Sequence, residues 1–296
     1  MPELPEIELY VGALKDRVVG RPLEKVRLRS ASLLRTYDPP ISAVEGKQIL
    51  EVRRMGKRLV FKLEDDLFLV LHLMISGRLK WRKRGAEVPR KGAHGAFDFP
   101  GGTLLLTEAA TQKRASLHAV RGEQAVAALN PGGLEVLDSA PGELATVLRR
   151  EGHTIKRALT DPRIVSGIGN AHSDEILHAA KLSPFKRTKD LSDAEIAHLH
   201  RVILASLHEW IDRLREELGS GFPEKVSAFH PRMNVHGRFN QPCPVCGSPI
   251  QRIVHGAHET NYCPGCQTEG RILKDRALSR LLGDDWPKTL EELEAR

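Results

Sequence analysis

The sequence predicts an α+β multidomain protein: an N-terminal helix and antiparallel β-sandwich, then a helical domain, then a C-terminal β-hairpin with paired cysteines. Three observations point there. Ile7, Val11, Leu14 and Val18 recur at helical spacing. Residues 22–120 break into short apolar segments separated by polar or Gly/Pro-containing turns, as in an antiparallel sandwich or barrel. After about residue 121 the spacing turns helical, and all four cysteines fall between 243 and 266.

In chain order, the first helix runs from Glu3 to about Val18 with an exposed start. Pro5 is tolerated in its first turn, and Glu3, Glu6 and Glu8 suit the positive end of the helix dipole. Strand candidates are KVRLRS, KQILEVRRM, RLVFKL, LFLVLHLM, GRLKWRK, AFDF and TLLLTE. Segments 122–129, 142–151, 153–160 and 168–181 read as helices. Residues 191–218 form a long amphipathic helix opened by a Ser192-x-x-Glu195 capping box. GSGFPEK (219–225) breaks that helix, and 226–242 reads as a loop. The expected domains are 1–121, 122–235, 236–271 and a helical extension over 272–296, in which Leu278, Leu281 and Leu282 suggest a helix packed on the body.

A chain of 296 residues with 41% hydrophobic content can bury a substantial core. Its charge of +7 and pI near 9.3 favour an anionic partner such as nucleic acid, although a merely basic soluble protein fits nearly as well. Residues 1–20 lack the pattern of a secretory signal, and no run of 18 apolar residues offers a membrane span. No membrane partner and a cytoplasmic, reducing location are expected, with no cysteine left to staple the first 240 residues.

The cysteines read C-x2-C-x16-C-x2-C, with Cys243, Cys246, Cys263 and Cys266 in two knuckles. Four thiolates at this spacing suit one tetrahedral, structural zinc, and the sixteen intervening residues are enough for a hairpin. Four buried thiols or two disulfides are the alternatives. In VSGIGNAHSDEILHAAKLSP, Gly167 and Gly169 precede Asn170 at a helix start, which either offers amides to a phosphate or is a plain glycine turn. Lys57 follows Gly56 at the start of a strand and can project towards a phosphate or leaving oxygen.

The opening MPELPE carries the sharpest chemistry. With Met1 removed, Pro2 offers a secondary amine with a pKa near an ordinary terminal amine at ~8, usable as a nucleophile at neutral pH. Attack on a sugar C1′ gives an iminium that acidifies the C2′ hydrogen and makes phosphate elimination feasible. Glu3 and Glu6 stand beside it as proton carriers, or are solvated first-turn glutamates.

PELPE, MGK at 55–57, GIGNAHSDEILHAAKLSP and the final C-x2-C-x16-C-x2-CQ together resemble the formamidopyrimidine-DNA glycosylase/endonuclease VIII family, over residues 2 to about 267. PELPE points to the formamidopyrimidine-DNA glycosylase branch. The resemblance implies a helix-two-turn-helix domain with a zinc finger beside the β-sandwich, with damaged double-stranded DNA lying in the cleft between. It also implies a monomeric base-excision repair enzyme that is both DNA glycosylase and AP lyase, acting on a nucleotide flipped from the stack. By the same resemblance Pro2 is the Schiff-base nucleophile, Glu3 the proton donor and Glu6 a support for sugar and lesion chemistry. Lys57 contacts phosphate and assists β-elimination, Asn170 binds phosphate, and His72, His94 and Lys156 lie at the DNA or near the active site.

The sequence also departs from that family. His258 stands where the finger carries a phosphate-binding arginine linked to δ-elimination, which leaves the second strand-cleavage step open. Histidine titrates near neutrality, so its contact is expected to depend on pH. HLMISG places Ile75 at a gap-filling methionine position, and TQKRAS (111–116) replaces a loop with an aromatic wedge. The lid segment 222–238 is short. Formamidopyrimidines, 8-oxoguanine, oxidised pyrimidines and abasic sites all remain candidate lesions. Two other readings stand: a catalytically degenerate damaged-DNA-binding protein of the same fold, and a zinc-ribbon RNA-binding protein.

Overall fold

In a computed structural model, which describes residues 1–256, 258–275, 280–283 and 286–294, the apolar segments of the N-terminal region pair into two four-stranded antiparallel sheets. One contains β1 (Lys25–Leu28), β6 (Ala93–Phe99), β7 (Gly102–Glu108) and β5 (Gly77–Arg82) in that spatial order. The other orders β2 (Ile49–Met55), β3 (Arg58–Leu63), β4 (Leu67–His72) and β8 (Ser116–Arg121). Leu67, Leu69 and Leu71 of β4 face a core shared with Phe97, Phe99, Leu104 and Leu106. Phe68 and Val70 point the other way, onto Val126 of α2 (Glu123–Ala128). Burial on both faces explains why β4 reads as a continuous apolar run rather than an alternation.

Helix α1 (Leu4–Val18) buries Ile7, Tyr10, Leu14 and Val18 in the same core. The expected exposed start is corrected: Pro2, Glu3 and Pro5 are all buried. Residues 208–228 belong to this unit, since the chain divides into Met1–Pro131 with His208–Ala228, and Gly132–Leu207 with Phe229–Arg296. Val226, Leu214, Leu218 and Phe222 join the first core, and Arg17 donates to the carbonyls of Ser220 and Gly221.

The second unit holds α3 (Pro141–Arg149), α4 (Ile155–Thr160), α5 (Asn170–Ala179) and the first part of α6 (Asp193–Leu218). The Ser192/Glu195 box is formed at both ends: Glu195 N donates to Ser192 Oγ at 3.2 Å, and Ser192 N to Glu195 Oε2 at 3.0 Å. β9 (Gln251–His255) and β10 (His258–Tyr262) make the hairpin between the cysteine knuckles, followed by α7 (Pro264–Gln267).

The C-terminal extension differs from expectation. Leu278 lies outside the described residues, and Leu281 is 81% exposed. Attachment comes instead from backbone pairing of Arg271 with Thr289, ahead of α8 (Leu290–Glu294), and from Asp275, which accepts the Val254 N–H of β9 at 2.9 Å. Among the described residues, no helix is long and apolar enough to cross a membrane.

A candidate active site and a zinc centre

The first turn of α1 gathers buried acid around the chain terminus. Glu3 is 3% exposed and Glu6 1%, and the Glu3 N–H donates to Glu6 Oε2 at 2.7 Å. They are therefore not solvated first-turn glutamates. The Met1 amine is pushed below the ordinary range of a terminal amine, chiefly by burial; Arg78 and Lys57 act the same way, while Glu3 and Glu6 oppose. An amine held in this environment is more often unprotonated near neutrality.

Lys57 occupies the two-residue turn between β2 and β3, whose register closes at Met55 and Arg58. Gly56 has φ +59°, a conformation that the first position of a type II′ turn requires and glycine supplies without strain. Arg54 fixes this turn to α1: Nε donates to Glu8 Oε1 at 2.8 Å and NH1 to the Gly56 carbonyl at 3.2 Å. His72, half-buried at the end of β4, has its pKa pushed down to about 4, first by burial and then by Arg58, Lys57 and His118. It is neutral at physiological pH.

Ile75 sits 55% exposed in the tight turn after β4, where the Gly77 N–H returns to the Leu73 carbonyl at 3.0 Å. A Cβ on Gly77 would lie 2.2 Å from that carbonyl oxygen, so only glycine fits. Gln112, Lys113 and Arg114 are exposed, and the loop is folded back on Glu108, which accepts the Arg114 and Ala115 N–H groups. It presents no aromatic side chain.

Two residues expected to meet DNA are buried in this structure. His94 is 1% exposed, with Nε2 2.9 Å from Glu108 Oε2, inside the first unit rather than at its surface. Lys156 is likewise buried: Nζ donates to the Asn170 carbonyl at 2.6 Å and to Asp174 Oδ1 at 2.5 Å. It is paired with Asp174 and holds the Asn170 backbone from behind. Asn170 itself is half-exposed at the first position of α5, and Gly167, at φ +84°, makes the approach turn.

Sequence reasoning missed the second role of α5. Asp174 Oδ2 faces His236 Nδ1 at 2.7 Å, and Glu175 accepts the backbone N–H groups of Asn234, Val235 and His236 at 2.7–2.9 Å. This acidic pair clamps the loop that leads into the cysteines. The DE dipeptide on a helix followed by an unexplained His236 was the only available signal.

The cysteine cluster fits zinc. Cys243 and Cys266 sulfurs are 3.8 Å apart and those of Cys246 and Cys263 3.3 Å. Four thiolates on a zinc at about 2.3 Å stand about 3.8 Å apart. These separations also exclude disulfides, and all four cysteines are free. Gln267 ties the site to the end of α5, accepting the Cys263 N–H at 2.8 Å and donating to the Leu182 carbonyl at 2.9 Å. The centre is structural: with four sulfurs bound no position remains for water. Of His258 only the backbone is described, paired with His255 across the hairpin.

The chain thus joins a sandwich with a buried acidic terminus to a helical unit and a zinc hairpin. Comparison with known proteins gives the family. Residues 1–114 match the formamidopyrimidine-DNA glycosylase N-terminal domain, 135–218 the H2TH domain of that enzyme, and 240–268 the zinc finger found in it and in IleRS. The chain belongs to the formamidopyrimidine-DNA glycosylase family, base-excision repair enzymes that combine DNA glycosylase with AP lyase activity. The enzyme of Thermus thermophilus is 32% identical over 282 residues, covering 91% of this chain and 100% of the relative. That of Desulfitobacterium hafniense is 31% identical over 280 residues, covering 90% and 100%. Among solved structures, a complex of the Lactococcus lactis enzyme with DNA containing an abasic site aligns at TM-score 0.79 and 27% identity, covering 90% of this chain and 99% of that one.

Proposed function

We propose that this protein excises oxidised bases from double-stranded DNA and nicks the strand through a Schiff base on Pro2. The observation that carries the reading is the terminus itself: Pro2 is buried beside the buried Glu3 and Glu6, and the amine of the preceding Met1 is pushed below its ordinary range, chiefly by burial. Once Met1 is removed, the Pro2 nitrogen attacks C1′ of the flipped nucleotide and the C1′–base bond breaks. A proton from Glu3 allows the sugar ring to open. The iminium then draws electrons from the C2′–H bond, a base removes that proton, and the 3′ phosphate leaves. Water hydrolyses the imine and frees Pro2. Glu6 holds the Glu3 backbone, and Lys57 meets the phosphate from its turn.

Asn170 and the amides at the start of α5 bind the strand on the second unit, with Lys156 behind them and the finger supporting the grip. His72, neutral, meets DNA as a hydrogen-bond partner. Oxidised purines of the formamidopyrimidine type are the leading substrates, with 8-oxoguanine and oxidised pyrimidines next. His258, shorter than the arginine it replaces, contacts DNA, and strand cleavage proceeds by β-elimination with the δ-step left open. In this reading residues 1–121 are catalytic, 122–235 and the 236–271 finger grip DNA, and 272–296 brace the finger. The protein acts as a monomer in the cytoplasm.

Borohydride trapping on an abasic-site duplex tests the claim. Processed protein should give a covalent adduct, and protein retaining Met1 should lose at least about a thousandfold in adduct formation, the scale on which loss of a nucleophile acts. Absence of an adduct from processed protein, with DNA binding intact, would leave a damaged-DNA-binding protein instead.

A further inference from the structure

Helix α5 brings the cysteine cluster one donor more than tetrahedral zinc needs. His178 is buried on its last turn, with Nε2 3.4 Å from Cys243 Sγ. Its ligand atom and the sulfurs of Cys243, Cys263 and Cys266 all lie within 4.8 Å of one another. Those three cysteines are buried or half-buried, whereas Cys246 is exposed. Cys246 meets the cluster at the Cys263 sulfur, 3.3 Å away, and on its outer side contacts Ser248 Oγ at 3.4 Å. The centre therefore has three protected sulfurs, one accessible sulfur and a fifth donor on the protected side.

We propose that His178 is a reserve ligand of the zinc centre, binding through Nε2 when the Cys246 thiolate is lost. Exposed thiolates are the ones that oxidants and alkylating agents reach first. Loss of Cys246 would leave three sulfurs and an open position, and a zinc site of that kind takes up water or gives up its metal. With Zn–S near 2.3 Å and Zn–N near 2.0–2.1 Å, neighbouring nitrogen and sulfur donors stand about 3.6 Å apart. The observed 3.4 Å to Cys243 is close to that separation, and the ligand nitrogen of His178 lies within 4.8 Å of the Cys263 and Cys266 sulfurs. While all four thiolates are bound, the Nε2–H is placed to donate to the Cys243 sulfur and steady the inner knuckle; when Nε2 takes the metal, that proton is exchanged through solvent for one on Nδ1 and the imidazole stays neutral.

The exchange also changes charge. Zinc with four thiolates carries −2, and with three thiolates and a neutral imidazole −1. A finger that has lost its outer thiolate would approach a polyanion with less repulsion, keeping its fold and its hold on α5.

The test is zinc coordination rather than repair activity. Cys246→Ala should retain zinc, and its X-ray absorption should change from four sulfurs to three sulfurs with the multiple-scattering signature of an imidazole. Adding His178→Phe to Cys246→Ala should weaken zinc affinity by about 10–100-fold in chelator competition, the scale for losing a supporting metal contact. His178→Phe alone should keep its zinc. A second arm leaves Cys246 unmutated. Iodoacetamide treatment of native protein, in which the Cys246 sulfur displaces iodide, should leave zinc bound, while the same treatment of His178→Phe should release it. Equal zinc affinity in Cys246→Ala with and without His178, or equal zinc release from the two alkylated proteins, would overturn the proposal.

Discussion

Each unit buries a pair of acids at a helix, and the two pairs face different partners. Asp174 and Glu175 in α5 face a lysine, a histidine and three backbone N–H groups, so their charge is absorbed by structure. Glu3 and Glu6 in the first turn of α1 share their pocket with the chain terminus. Burial is common to both pairs, so what faces each acid is the feature that separates the structural pair from the pair proposed to react. The histidines repeat the contrast, His236 lying against Asp174 while His72 sits among Arg58, Lys57 and His118.

The sharpest way to break the comparison is to neutralise one acid in the first unit. Glu3→Gln should lower base excision by about 10²–10⁴, the range for a general acid, with little change in melting temperature. A large fall in stability instead would make Glu3 structural, like Asp174. In the second unit the expectation reverses. Lys156→Met should destabilise by about 3–5 kcal/mol in urea unfolding because Asp174 is left without its cation. Unchanged stability would remove the distinction from that side.

The histidine contrast predicts a pH effect. His72 has a folded pKa of about 4 against an ordinary 6.5, so the unfolded chain takes up its proton first as pH falls. Stability held above pH 6.5 is thus lost between 6.5 and 4, by about 2 kcal/mol from pH 7 to pH 5. His72→Phe should flatten that slope, measured by denaturation at the two pH values, and an unchanged slope would place the titration elsewhere. The smallest effect belongs to the phosphate grip. Asn170→Ala should weaken binding to an abasic-site duplex about tenfold, roughly one lost hydrogen bond to a charged group, without altering the melting temperature.

Much of this was legible where local chemistry dictates structure. The two cysteine knuckles, the Ser192/Glu195 box and the Gly56–Lys57 turn each carry their cause within a few residues, and all three form. What stayed hidden depends on partners distant in the chain. An amphipathic helix advertises an apolar face but not its owner, so nothing in 208–228 said that it packs with the first 131 residues. The pairing of Lys156 with Asp174, 18 positions on, carries no local signal. His178 stands 65 residues before Cys243, too far for spacing to suggest a shared metal.

The return of residues 208–228 also bears on synthesis. Leu214, Leu218, Phe222 and Val226 complete the core into which α1 packs, and Glu224 pairs with Arg82 in the same unit. The sandwich therefore leaves the ribosome unfinished, and some hundred residues more must be made before its core can close. The Pro2 chemistry proposed above needs Met1 removed, and this interval precedes closure of the core around α1. The order of translation thus offers a window for trimming before α1 is locked down.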